Sequence, residues 1–312
     1  MISKAQDARA IFTYQSRPVL DAAQIAALDS YAALYGRAER SLFAAMQAGG
    51  TVNDLKRAFQ PQFAITARQF NAMRVSLQGK MDSIKARRPE LIADLNARIN
   101  KATKVIAKLA LRPSQAAKLH QKKRRLAILE RKHAQMQSDH RTGAVRLCFG
   151  SKTLFRAQFE LDANGYADYD AWKADWQTAR SSQIFVLGSK DELAGNQSCQ
   201  ASVNDDGTLD LKLRLPDALG GSHGKYITIH GVRFAYGHKA IMAALASSER
   251  IATVTKTGKA TFKYTGTALS YRFVRDAKGW RVFVSCEAPA VELKTKRTLG
   301  AIGVDINAGV TT

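Results

Sequence analysis

The sequence predicts an α+β fold in which a long helical region lies between one early strand and a set of later strands. Apolar residues recur at helical spacing from about residue 21 to residue 140, and from residue 183 the period becomes two. The later segments are short and are joined by tight turns, which is typical of a small antiparallel β-barrel. A strand predicted at residues 9–15 has no local partner, so we expect it to pair with the barrel across the helical region.

Five helices are predicted in the first half of the chain. Asp21 and Thr51 are suitable N-caps, and Gly49-Gly50 is a stop signal between them. Prolines are expected to begin the last two helices, because proline is tolerated in a first turn. The predicted helices cover residues 21–46, 51–59, 66–87, 89–111 and 113–140.

The second half begins with an aromatic segment and continues with strands. Trp172 and Trp176 lie one helical turn apart on a helix predicted at residues 170–180, a spacing that favours core packing over base stacking. The turn Asn204-Asp205-Asp206-Gly207 predicts a hairpin. Strands are predicted at residues 145–149, 183–187, 198–203, 208–215, 226–229, 232–234, 261–264, 269–274 and 280–286, with a helix at 238–248.

The charge of the chain indicates a polyanionic partner. Its 312 residues include 48 Lys and Arg against 26 Asp and Glu, which gives a formal net charge of +22. So many like charges repel one another until phosphates or counterions screen them. Nucleic acid is the first candidate and an anionic membrane surface is the second. No apolar run approaches the ~18 residues needed to cross a bilayer. No membrane surface is expected as a partner either, because the helices lack Trp- and Phe-rich apolar faces beside their basic ones.

Half of this excess lies between residues 101 and 146. That region has thirteen basic residues and two acids, Glu130 and Asp139. A solvated helical face normally mixes signs for pairing between adjacent turns, whereas this one hardly does. Phosphate contact is therefore favoured over an ordinary solvated face, which stays open as the alternative.

The cysteines and histidines give little sign of chemistry. Cys148, Cys199 and Cys286 are far apart and form no CxxC pair, which suits free thiols in a reducing cytoplasm. Residues 1–9 contain no apolar signal core. None of the six histidines lies in a metal-binding or catalytic spacing.

Asp305 is the one residue whose surroundings suggest catalysis. It interrupts the apolar run at residues 299–309, Leu-Gly-Ala-Ile-Gly-Val-Asp-Ile-Asn-Ala-Gly, which predicts a buried strand. A buried carboxylate is costly unless a metal or a cation neutralises it. Nucleases of the RNase H and RuvC type place their first metal ligand in this way. The alternative is an aspartate that only caps a turn.

The order of these features resembles the TnpB family of transposon-encoded nucleases and the related type V CRISPR effectors. The resemblance rests on Ile302-Gly303-Val304-Asp305-Ile306-Asn307 and on the stretch from Lys122-Lys123-Arg124-Arg125 to Gly188-Ser189-Lys190-Asp191. It implies a wedge-type, oligonucleotide-binding-like β-barrel with a large inserted helical recognition lobe, followed by the first strand of an RNase H-like RuvC domain. The implied divisions are a wedge strand at 1–18, the lobe at 19–143, the barrel with helical inserts at 144–290, a linker at 291–298 and the start of the nuclease domain at 299–312.

In that family a guide RNA pairs with one strand of target DNA, while the protein reads backbone shape and a short adjacent motif. The resemblance therefore implies guide RNA and double-stranded DNA as partners. It makes the helix at residues 66–85 a candidate reader of the motif, because polar side chains make the paired hydrogen bonds that distinguish bases. The candidates are Arg68, Gln69, Asn71, Arg74 and Gln78, with an ordinary polar helix face as the alternative. Phosphate contacts without sequence preference are expected from Lys118, Lys122, Lys123, Arg124, Arg125, Arg131 and Lys132.

The resemblance also makes Asp305 the first metal-binding aspartate of a two-metal RuvC site that uses Mg²⁺. The family needs a later Glu and a later Asp, and usually carries a zinc-binding segment near them. One carboxylate does not hold two metals, so we expect no cleavage by this chain alone. The main hypothesis is an RNA-guided DNA endonuclease in its complete form, acting in a prokaryotic cytoplasm and at the nucleoid when bound to DNA. The alternatives are a nuclease-inactive guided regulator and a structural RNA-binding protein without a guide.

Overall fold

The computed structural model describes residues 10–254 and 260–288, and it shows a mixed α+β protein with antiparallel sheets. The helices are α1 (Ala22–Gln47), α2 (Val52–Phe63), α3 (Ala67–Ala110), α4 (Ala116–Thr142), α5 (Lys152–Ala157), α6 (Tyr169–Ala179), α7 (Gly220–His223) and α8 (His238–Ala246). The strands are β1 (Ala10–Ser16), β2 (Gln183–Val186), β3 (Cys199–Val203), β4 (Leu209–Arg214), β5 (Tyr226–Val232), β6 (Glu249–Val254), β7 (Ala260–Thr265), β8 (Ser270–Asp276) and β9 (Gly279–Ala288).

The starts of the first helices follow from local hydrogen bonding, as predicted. The Asp21 carboxylate accepts from the Gln24 backbone N–H at 2.7 Å, and the Gln24 side chain accepts from the Asp21 N–H at 2.9 Å. Thr66 and Gln69 form the same reciprocal cap on α3, and the Thr51 hydroxyl caps α2. These caps satisfy backbone donors that a helix leaves unpaired at its first turn.

The predicted helix boundary at Pro89 is wrong. The helix α3 passes through Pro89 without a break. It has 44 residues in all, which is about 66 Å at the usual rise per residue. An internal proline removes one hydrogen bond and costs about 3 kcal/mol. Packing of α4 along the second half of α3 offsets that cost, so the tertiary contact overrides the local signal.

The early strand pairs with the last described strand, as predicted. Ala10 lies opposite Ala288 and Ser16 opposite Val282 in an antiparallel register. The strand order of this sheet is β1-β9-β8-β2, and separate sheets are formed by β3-β4-β5 and by β6-β7. Within the described ranges, no hydrogen-bonded ring joins these sheets, so the closed barrel stays a prediction.

Three strand assignments change in detail. Residues 226–234 were expected as two strands, but β5 is continuous and its register shifts opposite the Leu209–Leu211 segment of β4. Residues 145–149 form no strand. The strand β6 was not predicted, because its pairing with β7 is decided by the partner strand rather than by its own pattern.

One hydrophobic core joins helices to both larger sheets. It includes Leu28 and Leu42 of α1, Phe70 of α3, Leu211 of β4 and Tyr271 of β8. No residue of α4 belongs to this core, and none of α3 beyond Leu77. The distal part of α3 and all of α4 therefore form a helical hairpin outside the main core.

The tryptophan prediction is confirmed for Trp172. Its side chain is buried, and its indole N–H donates to the Leu154 carbonyl at 2.7 Å. Trp176 is half-buried, and its ring lies 6.1 Å from that of Trp172. Trp172 therefore fixes α6 against α5 rather than offering a free ring to a base.

Candidate nucleic-acid interface

The α3–α4 hairpin is held together along a narrow stripe of α4. From Leu119 to Met136, the buried and half-buried positions of α4 are spaced by three and four residues, as in a coiled-coil seam. Leu129 is the single fully buried residue of this helix. The stripe consists of Leu119, Lys122, Leu126, Leu129, His133 and Met136.

The basic residues of α4 mostly lie outside this stripe, so they face solvent. The predicted phosphate-contacting set has six exposed members and one, Lys122, that is half-buried in the seam. In the part of the chain that the structure describes, none of the seven takes part in an ion pair. The set consists of Lys118, Lys122, Lys123, Arg124, Arg125, Arg131 and Lys132.

A shallow cleft of about 320 Å³ links the basic residues of the two helices near the middle of the hairpin. Arg98 and Lys101 of α3 line it together with Lys122 and Arg125 of α4. Four cations around one cleft raise the local positive potential, and a phosphate placed there would neutralise part of it. The hairpin thus gathers basic residues from two separate stretches of sequence.

The residues predicted to read a target-adjacent motif do not share one exposed face. Gln69 is buried, where it completes the cap of α3 and donates to the Arg214 carbonyl at 3.4 Å. Gln69 is therefore not accessible to a base in this structure. Its amide groups are already used inside the protein.

The other members of that set are half-buried. Arg68 forms an ion pair with the buried carboxylate of Glu192 and donates to the Gln197 side chain at 3.4 Å. The Gln78 side chain donates to Asp82 at 2.9 Å. Asn71 and Arg74 lie between these two positions on α3 and are each partly accessible. Base reading remains a prediction for these four residues.

Sequence reasoning missed a row of arginine and aromatic side chains across the four-stranded sheet. Phe185, Arg272, Phe283 and Gln15 occupy consecutive cross-strand positions in this sheet. The Arg272 guanidinium lies 5.0 Å from the centre of the Phe185 ring, and that of Arg281 lies 5.4 Å from the Phe283 ring. Alternation in β8 and β9 is visible in the sequence, but only the register brings these residues into one row.

The described histidines and carboxylates do not form a metal site. No group of three His, Cys, Asp or Glu side chains suited to a metal occurs within residues 10–254 and 260–288. His230 instead contacts the Asp210 carboxylate at 2.6 Å, and His238 contacts the Gly207 carbonyl at 2.7 Å. Asp305, the predicted metal ligand, lies outside the described residues. The Mg²⁺ and zinc expectations therefore stay predictions.

Comparison with other proteins does not assign the chain to a family. No known protein family matches the chain, and no curated protein is significantly similar to it. Among the described residues, no helix is both long enough and apolar enough to cross a membrane.

Proposed function

We propose that this protein binds nucleic acid through the α3–α4 hairpin. The observation that carries the proposal is the set of seven basic residues on α4, most of them exposed and none with an acidic partner among the described residues. Surface lysines and arginines in a folded protein are commonly balanced by nearby acids on the same face. An unbalanced set of cations along one helix attracts phosphates by charge, and it binds them without reading bases.

The hairpin geometry supports this assignment. A narrow apolar seam is sufficient to hold α4 on α3, which leaves most of the helix surface free for a ligand. The distal hairpin adds nothing to the main core, so its basic composition is not explained by packing. Phosphate binding explains both the charge and its placement.

The more specific proposal is an RNA-guided DNA-binding protein related to the TnpB family. The guide RNA pairs with the target, and the hairpin holds the phosphates of the duplex. The strands act as the wedge-type barrel that contacts the guide RNA. Arg68, Asn71, Arg74 and Gln78 contact the motif beside the target. The complete protein acts in a prokaryotic cytoplasm and at the nucleoid.

Cleavage belongs to the complete RuvC site. Asp305 would supply one carboxylate ligand for Mg²⁺ there, together with a later Glu and a later Asp, and the metal would activate the water that attacks the phosphate. The test is an assay of the intact protein on target DNA with Mg²⁺, with Asp305→Ala as the control. Cutting that depends on Asp305 supports the endonuclease, whereas guided binding without cutting supports the regulator.

The first experiment replaces Lys122, Lys123, Arg124 and Arg125 with alanine and measures nucleic-acid binding over a range of salt concentrations. Each phosphate contact contributes about 0.7 to the slope of log affinity against log salt for a single strand, so four contacts lower it by up to about 3. The matched control removes the same charge from four exposed sites off the hairpin. Those sites are Lys173, Arg233, Lys239 and Lys278.

An equal change of slope in both variants would contradict the hairpin assignment, because it would reflect net charge alone. Sequencing the RNA that co-purifies with the protein tests the hypothesis of RNA-guided DNA binding separately. A defined scaffold with a variable segment supports a guide. A heterogeneous pool favours the structural RNA-binding alternative.

A further inference from the structure

A second cleft lies where the α3–α4 hairpin meets the segment that follows α4. Its volume is about 550 Å³, within the range of pockets that hold small molecules, about 300–1,000 Å³. It is bounded by α3, by the C-terminal half of α4 and by residues 146–152. The cleft is therefore continuous with the hairpin proposed to bind nucleic acid, and Lys132, one of the seven basic residues of α4, belongs to its lining.

The floor of this cleft is apolar. Ile84 and Leu91 of α3, Met136 of α4 and Leu147 contribute to it, and each is only half-buried. Partly exposed apolar side chains at the bottom of a cleft favour a flat apolar ligand that removes them from water. A nucleobase has such a surface and is commonly held between apolar side chains when it leaves its stack.

The rim of the cleft is cationic. Arg87, Lys132 and Lys152 are exposed there, and among the described residues none of them forms an ion pair. The one carboxylate in the lining, that of Asp139, forms an ion pair with Arg146 at 3.1 Å. The rim therefore suits a phosphate, whose charge it would neutralise.

Arg88 makes the wall of the cleft rigid. Its side chain is buried, and its guanidinium donates to the Asp139 carbonyl and, at 2.6 Å, to the Ala144 carbonyl. It thus ties α3 to the C-terminal end of α4, where a cation is favoured by the helix dipole. No carboxylate pairs with this buried charge among the described residues, so it adds to the attraction for an anion.

We propose that this cleft accepts one unpaired nucleotide of the strand bound along the hairpin. The base lies on Leu91, Met136 and Leu147, and its phosphate contacts Arg87, Lys132 and Lys152. The inference rests on the proposed function, because the hairpin supplies the rest of the strand. It goes further by assigning an unstacked base to a defined site, in either RNA or DNA.

Cys148 provides a test in the native protein. It lines the cleft and is half-buried, whereas Cys199 and Cys286 are 0% and 1% exposed. N-ethylmaleimide is therefore expected to modify Cys148 first, which peptide mass spectrometry measures. Binding of an oligonucleotide is followed separately by fluorescence anisotropy.

At saturation, a single strand of about ten nucleotides should slow the modification of Cys148 about tenfold. A duplex of the same length, whose bases are all paired, should bind the hairpin and protect Cys148 much less. Oligouridine and oligothymidine form the two arms that distinguish RNA from DNA. The cleft assignment is overturned if both nucleic acids bind to saturation and protect Cys148 equally, or if neither protects it. Either result leaves the hairpin assignment standing. Absence of binding by either overturns both.

A converse experiment blocks the cleft. Protein whose Cys148 has been modified with N-ethylmaleimide should bind the single strand about tenfold more weakly, because one base loses the apolar surface on which it stacks, and should bind the duplex unchanged. Cys148→Ser protein is the control, and treatment with N-ethylmaleimide should leave its affinity for the single strand equal to that of the same variant before treatment. Equal affinity of the modified and unmodified proteins for the single strand would refute the proposal.

Discussion

Replacing Lys80 with methionine should destabilise the protein strongly, because it leaves a buried carboxylate without its partner. The Lys80 ammonium on α3 lies 2.6 Å from a carboxylate oxygen of Glu39 on α1. The Glu39 side chain is 2% exposed, whereas that of Lys80 is 27% exposed. This contact joins α1 to α3 just beyond Leu77, the last residue of α3 in the main core.

The expected loss is about 3–5 kcal/mol, the usual result of removing one partner of a buried ion pair. Glu39→Gln should cost less, because the remaining ammonium still reaches water and the amide oxygen still accepts its hydrogen bond. Replacing both residues, as Glu39→Leu with Lys80→Met, should recover most of the loss, because no charge is then left buried.

The measurement is urea unfolding followed by circular dichroism and tryptophan fluorescence. The matched control is Arg57→Met, which breaks an exposed contact of 3.9 Å with Asp54 and should cost about 0–1 kcal/mol. Equal effects of Lys80→Met and Arg57→Met would refute the argument from burial. So would a double variant less stable than Lys80→Met alone.

Two further predictions concern the backbone and acid stability. Gly195→Ala should destabilise the protein by more than about 2 kcal/mol, because Gly195 has φ +68° and an added Cβ would overlap the Thr267 carbonyl. The control, Gly79→Ala on open helix surface, should stabilise it by about 0.5–1 kcal/mol. An unchanged free energy of unfolding for Gly195→Ala in urea would contradict this. The hydrogen bond from Arg17 lowers the pKa of Asp276 to about 2, so its stabilising effect is present above the unfolded pKa near 3.8 and is lost as pH falls through about 2. NMR titration of the Asp276 carboxyl group should show this lowered pKa, and Asp276→Asn should remove this part of the pH dependence of stability. A pKa of Asp276 at its ordinary value would contradict the prediction.

Local chemistry made much of the helical region predictable. The caps at Asp21, Thr51 and Thr66 depend on residues within one turn, and the turn at Asn204 to Gly207 depends on its own four residues. Interactions of this kind need no contact with distant parts of the chain. The helix starts and the hairpin between β3 and β4 were therefore correctly predicted.

The structure places Pro89 and Gln69 differently from what the local pattern favoured, because their surroundings depend on distant segments. Pro89 is accommodated where α4 packs along α3, and Gln69 is drawn into the interior by its contact with the Arg214 carbonyl. Helix α4 and Arg214 are both distant in sequence from the residues that they contact. The local pattern therefore favoured a helix break at Pro89 and an exposed side chain at Gln69.

The sequence by itself determined the α+β class, the excess of positive charge and its concentration between residues 101 and 146. Only the tertiary structure decided which basic residues face solvent, because that depends on the seam between α3 and α4. It also brought Arg87, Lys132 and Lys152 around one cleft, although they come from three separate segments. Charge is a property of composition, whereas a binding surface requires contacts that the chain makes only when it folds.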